Sequence, residues 1–542
     1  MLPKIPYQVE PKTTRQTALR GLNFSDHYED GSLADSLNLS ARRYPYISTK
    51  YPREQVEGMT GVSSIYAFDG LWYVKNRGLY RKSGDVTTEV IAPDSPKALS
   101  PGEKQFAAMY HKLVIFPDKI YVDLDKIGTG ADAVLPLGAK LENVTGSVTV
   151  TSAEEEGAHI CTVTLTMPEG EYVSKYFQVY DIVKMSGWTN LKNNKYKQII
   201  EIPEGTNDTF IVQDETMEEE SGATVTIERE VPDLDFICEK NNRLFGASND
   251  SRTIYISAVD DPRNFMSDND AGGFAVDVAT EGQFTGCASL SNSVVFFKEH
   301  SITKILGDYA SEFTLNNYEM EGVKKDCHKS IRKINETVLY LGSNGVYSYN
   351  GGNSSLISHI FGEKRLKNGA AGTDGMNYYL SAKDGENTLF LSYSLQTGLW
   401  LREDDTEAKD FALVGETLYV LDDEGKVWKE NGEEGAILFS MTFKPFFETV
   451  SGAYKSSAIL FANKRYAKIY LRTEMAKGAY CRIEVRLDGG VWREVGKIVG
   501  KGGLTVTPLP IGRCDKYELR LHGKGPFTLL NLEREFRVGS AR

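Results

Sequence analysis

Along this chain, short apolar runs alternate with polar turns in a plan that repeats. Each repeat has an apolar strand, a turn rich in Asp, Asn or Gly, and a second strand carrying aromatics. The repeated apolar strands begin near Leu71, Leu113, Leu244, Val294, Val338, Tyr378 and Leu418, at steps of 42, 131, 50, 44, 40 and 40 residues. A strand-built period of roughly 40–50 residues is the pattern of propeller blades, because one blade cannot bury both of its faces alone. The one long step exceeds an ordinary step by about 90 residues, the size of a small inserted domain.

The turn chemistry repeats with the strands. Residues 63–82 read SSIYAFDGLWYVKNRGLYRK, with Asp69-Gly70 and Asn76-Arg77-Gly78 as hairpin turns. Residues 338–351, VLYLGSNGVYSYNG, turn at Asn344-Gly345. Residues 376–394 turn at Asp384-Gly385, and residues 418–431 at Glu424-Gly425. Asp-Gly and Asn-Gly suit tight hairpins because such turns need positive φ, which these residues tolerate. A stack of β-sandwiches would not keep this step through four consecutive units.

Two regions leave the rhythm. Between 131 and 230, Val144–Thr151, Cys161–Met167, Thr209–Gln213 and Ala223–Ile227 alternate apolar with polar residues. That alternation gives strands with one buried and one solvated face. The acidic runs Glu154–Glu156 and Glu218–Glu220 read as solvated loops. From about 436, Cys481–Leu487 alternates, Asp488-Gly489-Gly490 turns, and strands follow at Val491–Val495, Tyr517–Leu521 and Phe527–Leu530. This reads as a β-sandwich, with an eighth blade as the alternative. The first 60 residues are irregular, broken at Gly31-Ser32-Leu33 and Tyr44-Pro45-Tyr46. They predict an arm that could wrap another part of the protein or a neighbour, or equally a lead-in to the first blade. The expected fold is all-β: a β-propeller of about seven or eight blades with an inserted small β domain and a C-terminal β-sandwich. The segments are an arm at 1–60, propeller at 61–130, insert at 131–230, propeller at 231–435 and sandwich at 436–542.

Charge and composition narrow the function. The chain has 62 Lys+Arg against 75 Asp+Glu, a net charge of -13. Tight phosphate binding needs clustered basic residues. The nearest group, Lys324, Lys325, Lys329, Arg332 and Lys333, reads as solvated surface. There is no run of 18 apolar residues, and MLPKIPYQVEPKTTRQ lacks the apolar centre of a signal peptide. No stable membrane insertion is expected. The six cysteines, Cys161, Cys238, Cys287, Cys327, Cys481 and Cys514, form no CxxC and read as mostly buried thiols without a disulfide framework.

Catalytic patterns are sparse. Gly500-Lys501-Gly502-Gly503 is a turn without phosphate-loop spacing. There is no HExxH. Cys327 and His328 are adjacent, so in a strand they would face opposite sides. His300, His328 and His359 lie in or near blades without the convergence of three ligands that zinc needs. Asp268-Asn-Asp270-Ala-Gly272 begins like a calcium loop, but Ala279 stands where the bidentate Glu is required. Asp422 and Asp423 read as turn residues, and no carboxylate recurs across blades to mark a channel site. The expectation is therefore no catalytic, cofactor-binding or metal residue, no cofactor and no enzymatic turnover.

One stretch is distinctive. Residues 238–265 read CEKNNRLFGASNDSRTIYISAVDDPRNF and lead through Phe274–Val278 and Gly282–Gly286 to Val294–Lys298. An Asn-Arg-Leu strand, then a strand ending in Ser or Ala, then Asp-Pro-x-Asn-Phe, resembles a segment of structural proteins of tailed bacteriophages. Tyr340–Val346 with Tyr349–Gly352, and Leu19–Asn23 with Asn38-Leu39 and Tyr44-Pro45-Tyr46, resemble other parts of them. The resemblance is loose over 15–65 and firmer over 235–430. It is to the nozzle, tail tubular B and tail-stabilisation proteins of short-tailed phages. It implies a virion protein of the tail, made in the host cytoplasm, that continues the DNA exit channel as a ring, by analogy a hexamer. Its partners would be further copies of itself, the portal and adaptor or other tail proteins, and tail fibres. DNA would pass without sequence-specific binding. A cell-surface glycan-binding or glycan-cleaving propeller is the alternative.

Overall fold

The computed structural model describes residues 11–16, 19–152, 159–266, 272–308, 312–433, 435–446, 464–509, 514 and 516–538. The protein is all-β, with 55 % strand and 4 % helix, which excludes a fold built from βαβ units. The chain divides into two compact units. One comprises Tyr66–His328 with Gly351–Asn353, the other Met1–Ile65, Lys329–Asn350 and Ser354–Arg542.

The Tyr66–His328 unit holds a run of four-stranded antiparallel sheets in which strand order follows the chain. The first contains Leu71–Lys75, Gly78–Ser83 and Val86–Ile91, preceded by Val62–Ala67. The second is Gln105–Met109, Lys112–Phe116, Ile120–Asp123 and Val134–Pro136. The third is Phe236–Lys240, Arg243–Ala247, Thr253–Ile256 and Phe274–Asp277. The fourth is Gly286–Leu290, Ser293–Phe297, Ser301–Leu306 and Thr314–Glu319.

Each predicted apolar repeat falls on the second strand of its sheet, where Leu71, Leu113, Leu244 and Val294 are buried. Ser293–Phe297 is buried along its whole length, whereas the fourth strand Thr314–Glu319 is mostly exposed. The reason is packing between consecutive sheets. Phe245, Ile254, Val294, Phe296 and Ile305, from the third and fourth sheets, share one apolar cluster. A strand covered on both faces becomes a continuous apolar run. Asn76 and Arg77, at φ of 51° and 70°, make the two-residue turn before Gly78–Ser83. Asn241 and Asn242 do the same before Arg243, at 51° and 55°.

The insert is a closed six-stranded barrel. Its order is Ala139–Ser152, His159–Leu165, Thr209–Gln213, Tyr196–Glu201, Ile182–Ser186 and Glu220–Arg229. The alternating residues Val148, Cys161, Val163, Val225 and Ile227 point into its core with Phe210 and Trp188. Two expectations need correction. Val134–Pro136 pairs with Ile120–Asp123 and belongs to the second sheet, not to the insert. In the acidic run Glu218–Glu220, Glu218 and Glu219 lie in an exposed loop as expected, but Glu220 does not. Glu220 starts a barrel strand and accepts the backbone N–H of Thr189 (2.7 Å) and Asn190 (3.1 Å), which holds its carboxyl below the ordinary range against the opposing effect of burial. Glu154–Glu156 lies outside the described residues.

The other unit continues the run. Arg332–Ile334, Thr337–Gly342, Gly345–Tyr349 and Ser354–Leu356 form one sheet, and Lys367–Thr373, Asn377–Asp384, Asn387–Ser394 and Trp400–Asp404 the next. Ala408–Val414, Thr417–Asp422 and Val427–Lys429 form the last, whose fourth strand is Glu54–Gln55. Val338, Tyr378 and Leu418 again lie buried on second strands.

Two larger sheets in this unit share an apolar core that includes Leu33, Leu39, Ile47, Met441, Ile469, Leu521 and Leu529. One has the order Leu33–Leu37, Leu438–Phe443, Tyr517–Lys524, Tyr480–Leu487, Arg493–Val499. The other runs Leu39–Ser40, Ile47–Thr49, Phe527–Val538, Lys464–Met475, Gly502–Pro508, with Lys12–Gln16 also paired to Phe527–Val538. The amino-terminal segment is thus built into the carboxy-terminal sheets of its own chain. These strands form two sheets with a common core, not an eighth four-stranded sheet.

Buried charges stitch the same segment down. Lys50 Nζ lies 2.5 Å from Glu403 and 2.7 Å from Glu430, and Arg53 lies 2.5 Å from Glu430 and 2.7 Å from Asp404. Burial pushes the Glu403 carboxyl up, while Lys50 and Arg53 overcome burial at Glu430 and hold it down. Burying several charges together is tolerable only because each has a partner.

Candidate functional site

The distinctive motif builds a clamp between the barrel and the third sheet. After Thr253–Ile256 the chain turns through Asp261-Pro262-Arg263-Asn264-Phe265. Arg263 donates to both Asp261 oxygens, at 2.8 and 2.9 Å, and Asn264 donates to Asp261 at 2.5 Å. With the turn so braced, Asn264 Oδ1 accepts the backbone N–H of Ile182 on a barrel strand, at 2.9 Å. Arg263 also reaches Gln178 (2.8 Å) and Asp181 (3.2 Å). Asp181 is fully buried and pairs in addition with Arg229, which donates to Leu137 O at 2.9 Å.

The electrostatics follow from this packing. Burial would raise the Asp261 carboxyl, but the Arg263 guanidinium overrides it and holds it below the ordinary range. Arg263 is raised because its carboxylate partners outweigh its own desolvation. At Arg229 burial wins, and its guanidinium is lowered. The Asn-Arg-Leu half of the motif has an equally structural task. Asn242 supplies the left-handed turn residue, Arg243 donates to Ser257 O (2.8 Å) and Gly272 O (2.9 Å), and Leu244 enters the core.

A cavity of about 580 Å³ opens at one end of the second, third and fourth sheets. In an antiparallel sheet, the start of the first strand and the end of the second share one end. The cavity is lined there by Gln105, Phe236 and Thr285 from first-strand starts and by Pro117, Asn249 and Glu299 after second strands. Gln105 Nε2 lies 3.0 Å from His328 Nε2, and the His328 and Phe236 rings are 5.5 Å apart. Asp235 accepts from Ser248 Oγ (3.0 Å) and Asn249 N–H (2.9 Å), and Glu299 accepts from Lys325 N–H (3.2 Å). These carboxylates secure their own loops. Gly322 allows the close fit of the connector here, since a Cβ on it would stand 2.1 Å from Lys298 O. The arrangement offers a polar hollow with an imidazole, an amide and an aromatic ring. No nucleophile is paired with a base among these contacts.

The other candidates take these places. Cys327 and His328 are not in a strand: Cys327 closes a turn onto Lys324 O at 3.1 Å, and His328 opens the 3-10 turn His328–Ser330. Lys329 and Arg332 are not solvated surface, because both lie against the buried Asp410, at 3.4 and 3.5 Å. Lys333 is 3.6 Å from Glu336. His300 is exposed, 3.7 Å from Glu321, and His359 opens the 3-10 turn His359–Phe361. Asp422 accepts from Lys426 N–H (2.8 Å) and Trp428 Nε1 (2.7 Å), and the Asp423 N–H donates to Glu407 O at 3.0 Å. Asp268 and Asp270 lie outside the described residues. The six cysteines are free thiols, and four are buried. Cys238 and Cys287 hydrogen-bond each other, which with burial raises the Cys238 thiol well above its ordinary value. Among the described residues no three His, Cys, Asp or Glu side chains gather as a metal site.

Sequence reading missed Asp181 and Arg229. Neither sits in a recognisable motif, although Asp261–Phe265 on the other side of the clamp does.

No protein-family model matches the chain, and no curated protein matches it. Among solved structures, a protein from Lactobacillus plantarum is similar at 10 % identity and a TM-score of 0.31, covering 83 % of this chain and 98 % of that one. Apo AztD from Citrobacter koseri is similar at 7 % identity and a TM-score of 0.30, covering 68 % of this chain and 93 % of that one. Hsv2 from Kluyveromyces marxianus is similar at 11 % identity and a TM-score of 0.28, covering 39 % of this chain and 65 % of that one. Similarities this low carry no argument about the work of this chain.

Proposed function

We propose that this chain is a structural protein of a tailed-phage virion, a nozzle or head–tail channel component that continues the DNA exit channel and anchors fibres outside it. In this reading the seven four-stranded sheets are the blades of one β-propeller, completed in its last blade by Glu54–Gln55. The barrel is the inserted domain, and the two sheets with a common core are the C-terminal sandwich. Copies of the chain form a ring, by analogy sixfold, that meets the portal and adaptor.

The observation that carries the reading is the motif Asn242-Arg243-Leu244 followed by Asp261–Phe265. Its polar residues brace turns and hold the barrel, as suits a family defined by its scaffold and not by a reaction. The charge of -13 supports it too. An acidic wall repels the phosphate backbone and lets DNA slide instead of binding it.

Labelled antibody against the chain, imaged by negative-stain microscopy on phage particles, tests this. Label on the tail axis below the portal is the expected result. Label on a capsid facet or a fibre tip alone would reject the channel role, and absence from the particle would reject the virion reading. Glycan binding or hydrolysis by the purified chain would favour the cell-surface alternative.

A further inference from the structure

The third and fourth sheets of the Tyr66–His328 unit pack against each other through one apolar cluster, and each brings a cysteine to it from its first strand. Cys238 stands opposite Phe245 in the third sheet, and Cys287 opposite Phe296 in the fourth. Both phenylalanines belong to the cluster, and both cysteines pack against it. Side chains directly opposite each other in a ladder lie on one face of the sheet, so the two thiols point into the same seam. The first strands Phe236–Lys240 and Gly286–Leu290 run side by side. Lys240 Nζ donates to Ser291 O at 2.7 Å, which ties their far ends together. In that seam the Cys238 thiol donates a hydrogen bond to Cys287.

Exposure separates this pair from the other thiols. Cys161, Cys327, Cys481 and Cys514 are buried, whereas Cys238 and Cys287 are half-buried. The opening is the cavity of about 580 Å³ described above. Phe236 and Thr285 line it, and each stands two residues before a cysteine of the pair, on the same face of the same extended segment. The Thr285 N–H donates to Phe297 O at 2.8 Å, so the ladder of the fourth sheet already runs there. A small oxidant that enters the cavity therefore has a path to the two sulfurs.

Two thiols in contact on different sheets have a chemistry that a single buried thiol lacks. The first to be oxidised becomes a sulfenic acid, and the second resolves it to a disulfide before it goes further. Burial and the hydrogen bond hold the proton on Cys238, so Cys287 is the sulfur that attacks first. With hydrogen peroxide as oxidant, Cys287 Sγ takes one oxygen and a first water leaves. Cys238 Sγ then displaces that oxygen as a second water, and the S–S bond forms. The two thiols lose two electrons and two protons, and the peroxide takes up both.

We propose that Cys238 and Cys287 are a redox-modification site, a dithiol that peroxide converts to a disulfide clasping the first strands of the third and fourth sheets. The bond closes a loop of about 50 residues, long enough to stabilise the sheets that it joins. Reducing conditions return the pair to the dithiol, so one chain has two states of different rigidity. The proposal stands apart from the virion reading: a chain absent from phage particles leaves it untouched.

The test treats the full chain, purified under dithiothreitol and then freed of it, with hydrogen peroxide. The remaining thiols are alkylated and the peptides mapped by mass spectrometry. The expected result is one linked peptide pair holding Cys238 and Cys287, lighter by two hydrogen atoms than the two peptides together, with the other four cysteines alkylated. Dithiothreitol should undo the link. The oxidised chain should melt about 5 °C higher than the reduced one. In Cys238→Ser the resolving thiol is gone, so dimedone should trap Cys287 as a sulfenic acid, whereas the wild type gives little of that adduct. Both thiols alkylated after peroxide, sulfinic acid at either cysteine in place of the link, or a link that forms only in urea would each overturn the proposal. A link that lowers the melting temperature would reject the clasp.

Discussion

The barrel and the two-sheet region both stand outside the repeat, yet they are made in opposite ways. The barrel is one contiguous stretch whose strands pair only with one another, and its ends meet, with Ala139 paired to Arg229. The two-sheet region is assembled from the chain's extremes. Leu33–Leu37 pairs with Leu438–Phe443, and Lys12–Gln16 and Ile47–Thr49 both pair with Phe527–Val538. A local module can be added to or removed from a scaffold. A region woven from distant segments exists only when the whole chain is present, and its non-local pairings are the slow ones to form.

The largest expected effect tests that weaving. Deleting residues 1–49 removes Leu33, Leu39 and Ile47, each at most 1 % exposed in the shared core. Truncating one such residue to alanine costs about 2–5 kcal/mol, and a domain has only about 5–15 kcal/mol in all. The two-sheet region should therefore unfold, and limited proteolysis should cut between 438 and 538. A protease-resistant carboxy-terminal region in the truncated protein would show that the arm is dispensable.

Next comes the barrel clamp. Asp181→Ala should destabilise the barrel and its attachment by about 3–5 kcal/mol, because it strands the buried Arg229 guanidinium without its carboxylate, while Arg263 keeps Asp261. Excising residues 139–229 and joining the ends with a short Gly-Ser link should cost the remaining sheets less, about 1–2 kcal/mol. The excision takes Arg229 away and opens Arg263 and Asn264 to water, so no charge is left buried alone. Thermal melts of both proteins decide the order. If excision unfolds the four neighbouring sheets, the barrel belongs to their core and is not a module.

The contrast also explains what could be read in advance. The seven second strands stood out because burial on both faces makes runs such as LWYVK, KLVIF and SVVFF. Fourth strands such as Ser354–Leu356 are short and polar, and Val134–Pro136, at three residues, has no period to betray its sheet. The pairing of Leu33–Leu37 was invisible because LADSL is not periodic and its partner begins at Leu438. The turn in residues 338–351 is offset by one position: Gly342 pairs with Gly345, so Ser343-Asn344 makes the turn and Gly345, at φ 144°, opens the next strand. At the clamp, Asp261–Phe265 was legible as a motif. Asp181 and Arg229 were not, since a buried ion pair leaves no local pattern.

The smallest effect concerns the barrel alone. Asp214 follows the strand Thr209–Gln213 and gathers Lys195 (2.9 Å), Lys197 (3.0 Å), the Thr216 hydroxyl (2.8 Å) and the N–H groups of Thr216 (2.7 Å) and Met217 (2.8 Å). Burial would raise its carboxyl, but these donors outweigh burial and hold it well below the ordinary range. A carboxyl lowered in the folded state contributes stability that is fully present above the unfolded value, about 3.9, and is lost as pH falls through the folded one. Barrel stability should therefore be flat with respect to this group above about pH 5 and decline below about pH 4. Solvent near the lysines limits the loss to about 1 kcal/mol. Asp214→Asn should remove that share of the acid dependence and lower stability by about the same amount at neutral pH, as read by urea unfolding at a series of pH values. An unchanged acid limb in Asp214→Asn would mean that the local module's acid sensitivity arises elsewhere, and that these five donors only shape the loop.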